Sequence, residues 1–393
     1  MKILVLIHEY PPVGGGGGAA AGDICQGLAR RGHEIKVLTA HCKGLPLRET
    51  IGKIDVMRLK SLRRQPYRAG FLQMGAYVLA GLWAGLRLIG RWQPDVIHVH
   101  FAVPAGALAW ALSRLTRVPY VLTAHLGDVP GGVPEKTGKW FRWIFPFTRP
   151  IWRDAKRVVA VSGFTRGLAL RYYGSWLRCH YRAPIEVIPN GVDLKALDPG
   201  ELRANVTPRI VFAGRFMEQK NPLALVRVLS QLQDLRWQCV MLGDGPLLEE
   251  TRREIAARGL ADRFTLPGWV TPQEVLDWFR RSDLLFMPSL SEGLPVVGVQ
   301  ALAMGLAVVA SRVGGFVDLV NDGENGSLHE PSDEDGMAES LRRLLSDNGS
   351  LKSGYHKRDL LRARQCSREL ARKFDLTEVV RAYDELLREA AVP

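Results

Sequence analysis

The 393-residue chain is 47% hydrophobic and 24% charged, which excludes a disordered chain and allows two domains of ordinary size, each with its own core. Its five cysteines, Cys25, Cys42, Cys179, Cys239 and Cys366, are scattered without a CxxC pair; that excludes a disulfide framework or zinc site and points to a reducing compartment. The net charge of +13 is uneven: residues 1–190 carry 27 Lys/Arg against 10 Asp/Glu (net +17), and residues 191–393 carry 26 against 30 (net −4), so the first half points to an anionic partner, with a well-solvated basic surface as the alternative.

The chain opens on an apolar run, 2–7, too short for a secretory signal and read as a strand. Gly14-Gly15-Gly16-Gly17-Gly18 follows, before a helix expected to start near Ala19. Such glycines let backbone N–H groups approach a phosphate at a helix N-terminus. A flexible turn is the alternative. The run is not a P-loop, because no Gly-Lys-Ser/Thr follows. It is not the dinucleotide fingerprint either, because the next strand, 34–39, ends Leu38-Thr39-Ala40 without an acid.

Further strands are expected at 55–59, 95–99, 120–123, 157–161 and 186–188, mostly as continuous apolar runs suited to a sheet covered on both faces. Residues 69–86 carry no charge and approach the length of a membrane span. Their four glycines, Gln73 and flanking strands predict a crossover helix instead. Residues 71–88 and 136–153 are two candidate interfacial segments. The second mixes Lys139, Arg142, Arg149 and Arg153 with Trp140, Phe141, Trp143, Phe145, Phe147 and Trp152. Packing of these aromatics in a core is the alternative reading.

The pattern restarts after Asp193, with strands expected at 209–213, 238–242, 263–266, 284–287 and 307–310. The helices between them, 222–232, 246–258, 272–281 and 295–304, each open on proline. A last helix, 376–389, lies beyond the second sheet. The fold class is therefore α/β, with two doubly wound, Rossmann-like parallel sheets whose ligand sites belong at the C-terminal strand ends.

Two segments at such ends carry chemistry. Gly214-Arg215 through Lys220-Asn221-Pro222 follows a strand, and cations five apart on that loop can converge on one diphosphate or remain solvated. The run from Pro288 to Gly305 places Glu292 just before a helix. Glu292 either caps that helix or offers a carboxylate to sugar hydroxyls, with the Val296 and Val297 amides free for phosphate and Gln300 for a ribose.

Taken in order, these segments, with Leu28-Ala29-Arg30-Arg31-Gly32-His33-Glu34, Asp95 to His100, Thr123-Ala124-His125, Val161-Ser162, Val187 to Asp193 and Leu242-Gly243-Asp244-Gly245-Pro246, resemble the retaining GT-B glycosyltransferases of family 4 (glycosyltransferase group 1). The resemblance implies two Rossmann-like domains facing across a cleft. Residues 1–193 would bind the acceptor, 194–374 the nucleotide sugar, and 375–393 would return to the first domain. It implies a hexosyltransferase-type enzyme with a UDP- or GDP-linked donor, no cofactor and no metal. Arg215 and Lys220 would hold the departing diphosphate, Glu292 the donor sugar, and Gly15 and Gly16 would close on the phosphates. His125 would lie near the reaction centre. Gly214, Gly268, Val270, Gly293, Leu294, Val296, Val297 and Gln300 would complete the donor site.

One position departs from the family. A second glutamate is usual eight residues after the first, and this chain has Gln300, which keeps a carbonyl acceptor but loses the charge. A catalytically weak nucleotide-sugar-binding protein is thus the alternative function. No nucleic-acid-binding motif accompanies the basic half. The reading is a cytoplasmic enzyme, peripheral on the inner face of an anionic membrane, acting on a glycan or lipid-linked acceptor.

Overall fold

The computed structural model describes residues 1–63, 70–133, 141–180, 184–346 and 356–392. They form two compact units, Met1–Gly191 with Leu376–Pro393, and Val192–Asp375.

The first unit is built on β1 (Lys2–Leu6), β2 (Glu34–Ala40), β3 (Arg48–Ile51), β4 (Ile54–Leu59), β5 (Val96–His100), β6 (Tyr120–Ala124), β7 (Arg157–Ala160) and β8 (Glu186–Val187), in the order β3-β4-β2-β1-β5-β6-β7-β8. All pairs are parallel except β3–β4. Nearly every residue of β1, β5 and β6 is buried, because helices cover both faces. Helices Phe71–Trp92, Ala107–Thr116, Phe141–Arg153 and Gly163–His180 pack on one face. Gly16–Arg30 and Leu376–Ala391 pack on the other. The last helix seats closely: a Cβ on Gly27 would lie 2.3 Å from Val380 Cγ2. Asp384 on that helix accepts from Arg31 Nε at 2.7 Å.

The second unit orders β9 (Arg209–Ala213), β10 (Gln238–Leu242), β11 (Phe264–Gly268), β12 (Leu284–Met287), β13 (Ala307–Ser311) and β14 (Gly326–His329) as β11-β10-β9-β12-β13-β14, all parallel. In each unit the strand order reverses beside the first strand, at β1/β5 and at β9/β12. Chain segments diverge there to opposite faces and leave a crevice at the carboxyl ends, where such folds take ligands.

The structure corrects several sequence expectations. The glycine helix begins at Gly16 rather than near Ala19, so Gly16, Gly17 and Gly18 form its first turn. Strands β3 and β14 and helices Phe316–Leu319, Glu334–Leu345 and His356–Ala371 were not expected. β3 reads Arg-Glu-Thr-Ile, three of its four residues polar, as suits an antiparallel edge, and β14 is only four residues long. From Phe71 on, the uncharged stretch 69–86 belongs to the crossover helix Phe71–Trp92 between β4 and β5, capped by Gly70; residue 69 lies outside the described residues.

Candidate functional site

The second unit gathers charged groups at its β9/β12 switch point. The chain leaves β9 at Ala213, turns through Gly214 and Arg215, and makes a short helical turn Glu218–Lys220 before helix Pro222–Ser230. It leaves β12 at Met287 and reaches Glu292 before helix Val296–Ala303. Two backbone-linked contacts join these turns. Leu290 N–H donates to Gln219 O at 2.8 Å, and Gln219 Nε2 donates to Ser291 O at 3.0 Å. Gln219 is buried, so the second bond also satisfies an amide that water cannot reach.

This framework brings Lys220 to Glu292. Lys220 Nζ donates to Glu292 Oε1 at 2.5 Å, and Ser289 Oγ donates to the same oxygen at 2.7 Å. The lysine stem lies over Gly214: a Cβ added there would sit 3.4 Å from Lys220 Cε. The Glu292 side chain is 5% exposed and that of Lys220 14%, so neither is a solvated loop charge. Glu292 does not cap the following helix; Pro295 occupies the cap position, and among the described residues the helix has no side-chain cap bond. Those of Val296 and Val297 precede any possible intrahelical acceptor, leaving a positive helix end near a buried carboxylate–ammonium pair.

The remaining second-unit candidates are placed as follows. Arg215 is half-buried, and its guanidinium makes no ion pair or hydrogen bond among the described residues. Gln300 is half-buried on helix Val296–Ala303. Gly268 ends β11 with φ +82°, next to exposed Trp269 and half-buried Val270. Gly293 is held by a segment the sequence reading missed: Gly315 N–H donates to Gly293 O at 2.5 Å. Leu294 is buried. Ser289, Gln219 and Gly314–Gly315 were also absent from the sequence expectations. Ser289 alone had a local signal, standing three residues before Glu292 in a strand-end turn.

In the first unit, the turn after β1, the end of β5 and the end of β6 form a second cluster. Gly15 caps helix Gly16–Arg30 without a side-chain bond, and Gly15 and Gly16 are exposed. A Cβ on Gly17 would lie 2.8 Å from Phe101 Cζ and 3.3 Å from His125 Nδ1, so the helix's first turn rests on those rings. Phe101 and His125 are themselves stacked at 4.1 Å. Asp128 fixes the His125 loop by accepting from His125 N–H at 2.8 Å. His98, His100 and His125 are all buried, and His125 Nε2 has no hydrogen-bond partner among the described residues. Burial, then the charge of His8, lowers the His125 pKa to about 3, so its imidazole is neutral at neutral pH. Burial likewise raises Asp128 to about 7 against the pull of its amide donors.

No group of three or more His, Cys, Asp or Glu positioned to hold a metal ion occurs among the described residues.

Comparison with known proteins gives the family. Residues 14–196 match the family described as Glycosyltransferase Family 4, and residues 207–347 match Glycosyl transferases group 1. A D-inositol 3-phosphate glycosyltransferase of Arthrobacter sp. (strain FB24) is 32% identical over 292 residues, covering 69% of this chain and 68% of the relative. Among solved structures, a sucrose-phosphate synthase from Thermosynechococcus elongatus superposes with a TM-score of 0.82 at 22% identity, over 99% of this chain and 98% of the other. HepE of Anabaena, solved with UDP-glucose, gives 0.74 at 19% identity over 99% and 100%. The fold is GT-B, and the chain belongs to the family 4, group 1 glycosyltransferases and is a glycosyltransferase enzyme.

Proposed function

We propose that the protein transfers a hexosyl group from a nucleoside-diphosphate sugar to a glycan or lipid-linked acceptor, with retention of configuration and without a metal. The observation that carries the reading is the Lys220–Glu292 pair at the β9/β12 switch point, beside a helix with no side-chain cap bond among the described residues. Charge separates when the sugar–phosphate bond breaks, and fixed positive groups aimed at the leaving diphosphate lower that barrier most. Lys220, Arg215 and the Val296 and Val297 amides are such groups. Glu292, its Oε1 engaged by two donors, is placed to accept from sugar hydroxyls rather than to attack. Retention rests on the family kinship.

The UDP-glucose in the HepE structure supports a uridine-type donor here. Gly268, Trp269 and Val270 would flank the base and Gln300 the ribose. In the first unit, the exposed amides of Gly15 and Gly16 suit phosphate oxygens, and neutral His125 suits a sugar or acceptor hydroxyl. The dispersed cysteines, of which Cys25, Cys42 and Cys239 are free and buried, support a cytoplasmic setting.

The test is calorimetry and turnover over a panel of UDP-, GDP- and ADP-sugars, with EDTA present and absent. One donor should bind in the micromolar range and be transferred or hydrolysed equally in both conditions. The Lys220→Ala variant should lose at least about a hundredfold in kcat. Binding of no nucleotide sugar, or full activity in Lys220→Ala, refutes the assignment.

A further inference from the structure

Helix Phe71–Trp92 is apolar apart from Gln73, Arg87 and Arg91, and its buried residues lie on one face. Tyr77, Gly81, Ala84, Gly85 and Ile89 face the sheet and the neighbouring helix. A Cβ on Gly81 would lie 2.5 Å from Leu108, and one on Gly85 2.6 Å from Leu112, so helix Ala107–Thr116 packs tightly against these glycines. The opposite face presents Leu72, Leu79, Trp83 and Leu86, which at about 100° per residue fall within one narrow stripe. Leu72, Leu79 and Trp83 are 81%, 73% and 68% exposed. An exposed apolar stripe of this kind marks an interaction surface.

Charge indicates that partner. Helices Phe71–Trp92, Ala107–Thr116 and Phe141–Arg153 pack side by side on this face of the sheet. Together they contain six arginines and no acidic residue. Arg87 lies 5.4 Å from the Trp83 ring. Helix Phe141–Arg153 adds exposed Trp143 and Phe147, while its Ile151 and Trp152 are buried in the core. The expected interfacial run 136–153 is thus partly core and partly surface, and residues 136–140 lie outside the described residues. Asp154, directly after the third helix, pairs with Arg153 and accepts from Trp110, which leaves the other arginines in excess. Exposed Trp, Phe and Leu beside this excess of arginine fit an anionic bilayer surface, where rings enter the headgroup layer and guanidinium groups meet phosphates. A second copy docked on the same stripe would set arginines against arginines. The helix is long and apolar enough to cross a membrane, but its glycine face is already committed to packing.

We propose that the first unit docks on an anionic phospholipid surface through the outer face of helix Phe71–Trp92, flanked by Trp143 and Phe147. Docking sets the bilayer beside the first-unit cluster: Gln73 and Met74, at the start of the stripe, line a small cavity with His8 and Arg63. His8 in turn packs against Phe101, the ring stacked on His125. An acceptor carried by the membrane reaches the site from there, and this deepens the proposed transfer reaction without depending on its donor.

The test is co-sedimentation of the full chain with vesicles of phosphatidylcholine alone or with about 30% phosphatidylglycerol. Recovery should be roughly tenfold higher on the anionic vesicles and reversed by high salt. Two double variants should each lose that gain while keeping the wild-type melting temperature: Leu79→Ser with Trp83→Ser, and Arg87→Glu with Arg91→Glu. If the first pair does not fold, the arginine pair decides alone, since Arg87 and Arg91 are exposed. Equal recovery on neutral and anionic vesicles overturns the proposal. So does unchanged binding by the arginine variant, resistance to salt and alkaline extraction, or a dimer that the stripe variants abolish without any vesicle binding. Vesicle recovery is read without nucleotide sugar, so failure here leaves the transfer assay a separate result.

Discussion

Lys220 Nζ and Glu292 Oε1 lie 2.5 Å apart, joining the turn after β9 to the turn after β12 across the point where strand order reverses. The pair is mostly buried, so removing either partner leaves an uncompensated charge. Lys220→Met should therefore lower stability by about 3 kcal/mol as well as abolish transfer. Glu292→Gln should be milder for stability, because the amide oxygen can still accept from Lys220 and Ser289. It should still reduce kcat/KM through loss of the charged contact to sugar hydroxyls. Thermal melts with steady-state kinetics separate the two effects. Equal melting-temperature losses in both variants would contradict the electrostatic account.

Gly314 holds Glu292 in place through backbone contact alone. Its φ is +55°, and an added Cβ would fall 1.5 Å from Glu292 O. No side-chain adjustment relieves a clash with a carbonyl. Gly314→Ala should destabilise the second unit by about 3 kcal/mol and weaken nucleotide binding along with it. A variant that keeps wild-type stability and donor affinity would show that this contact does not set the Glu292 loop.

The fold was legible where burial is two-sided. β9, β10 and β12 are continuous apolar runs between turn residues, and their bounds match the sequence expectation. β3 was hidden because this short antiparallel edge has one apolar residue in four positions and so carries no apolar run. Helix His356–Ala371 was hidden by its many charges, though its Arg364 is buried and donates to Asp283 at 2.8 Å. In the site, residue type and spacing singled out Arg215, Lys220 and Glu292; the structure pairs Lys220 with Glu292, while Arg215 makes no ion pair or hydrogen bond among the described residues. Ser289, Gln219 and Gly314 were not singled out, since their roles depend on which turns the sheet brings together. The first-unit histidines show the same limit: His125 was named through the family resemblance, whereas the Phe101 ring that stacks on it follows a different strand.

Gln300 stands where a glutamate is usual, half-buried on helix Val296–Ala303. If a ribose binds there, its hydroxyls donate to a neutral carbonyl. A carboxylate would accept the same bonds with charge assistance, worth about 1 kcal/mol more. Gln300→Glu should therefore bind UDP roughly fivefold more tightly, with kcat changed little. Calorimetric titration of both proteins decides it. Unchanged or weaker binding would place the ribose elsewhere.

The buried histidines make stability depend on acid. Burial lowers His98 and His125 to about 3 and His100 well below its ordinary value, while the unfolded chain titrates near 6.5. A depressed folded-state pKa contributes stability that is complete above the unfolded value and is lost as pH falls toward the folded one. Between about pH 6 and pH 4 the unfolded chain takes up protons that the native protein refuses, at about 1.4 kcal/mol per pH unit for each histidine. Melting temperature should be flat above pH 7 and fall steeply below pH 6. His98→Gln retains an amide that can reach Thr123 Oγ1, which now meets His98 Nε2 at 2.9 Å, and removes one titrating group. Its stability should decline with acid less steeply than wild type, by one proton's worth. An unchanged slope would mean that His98 already carries a proton in the native protein, and that the cluster is more polar than its packing shows.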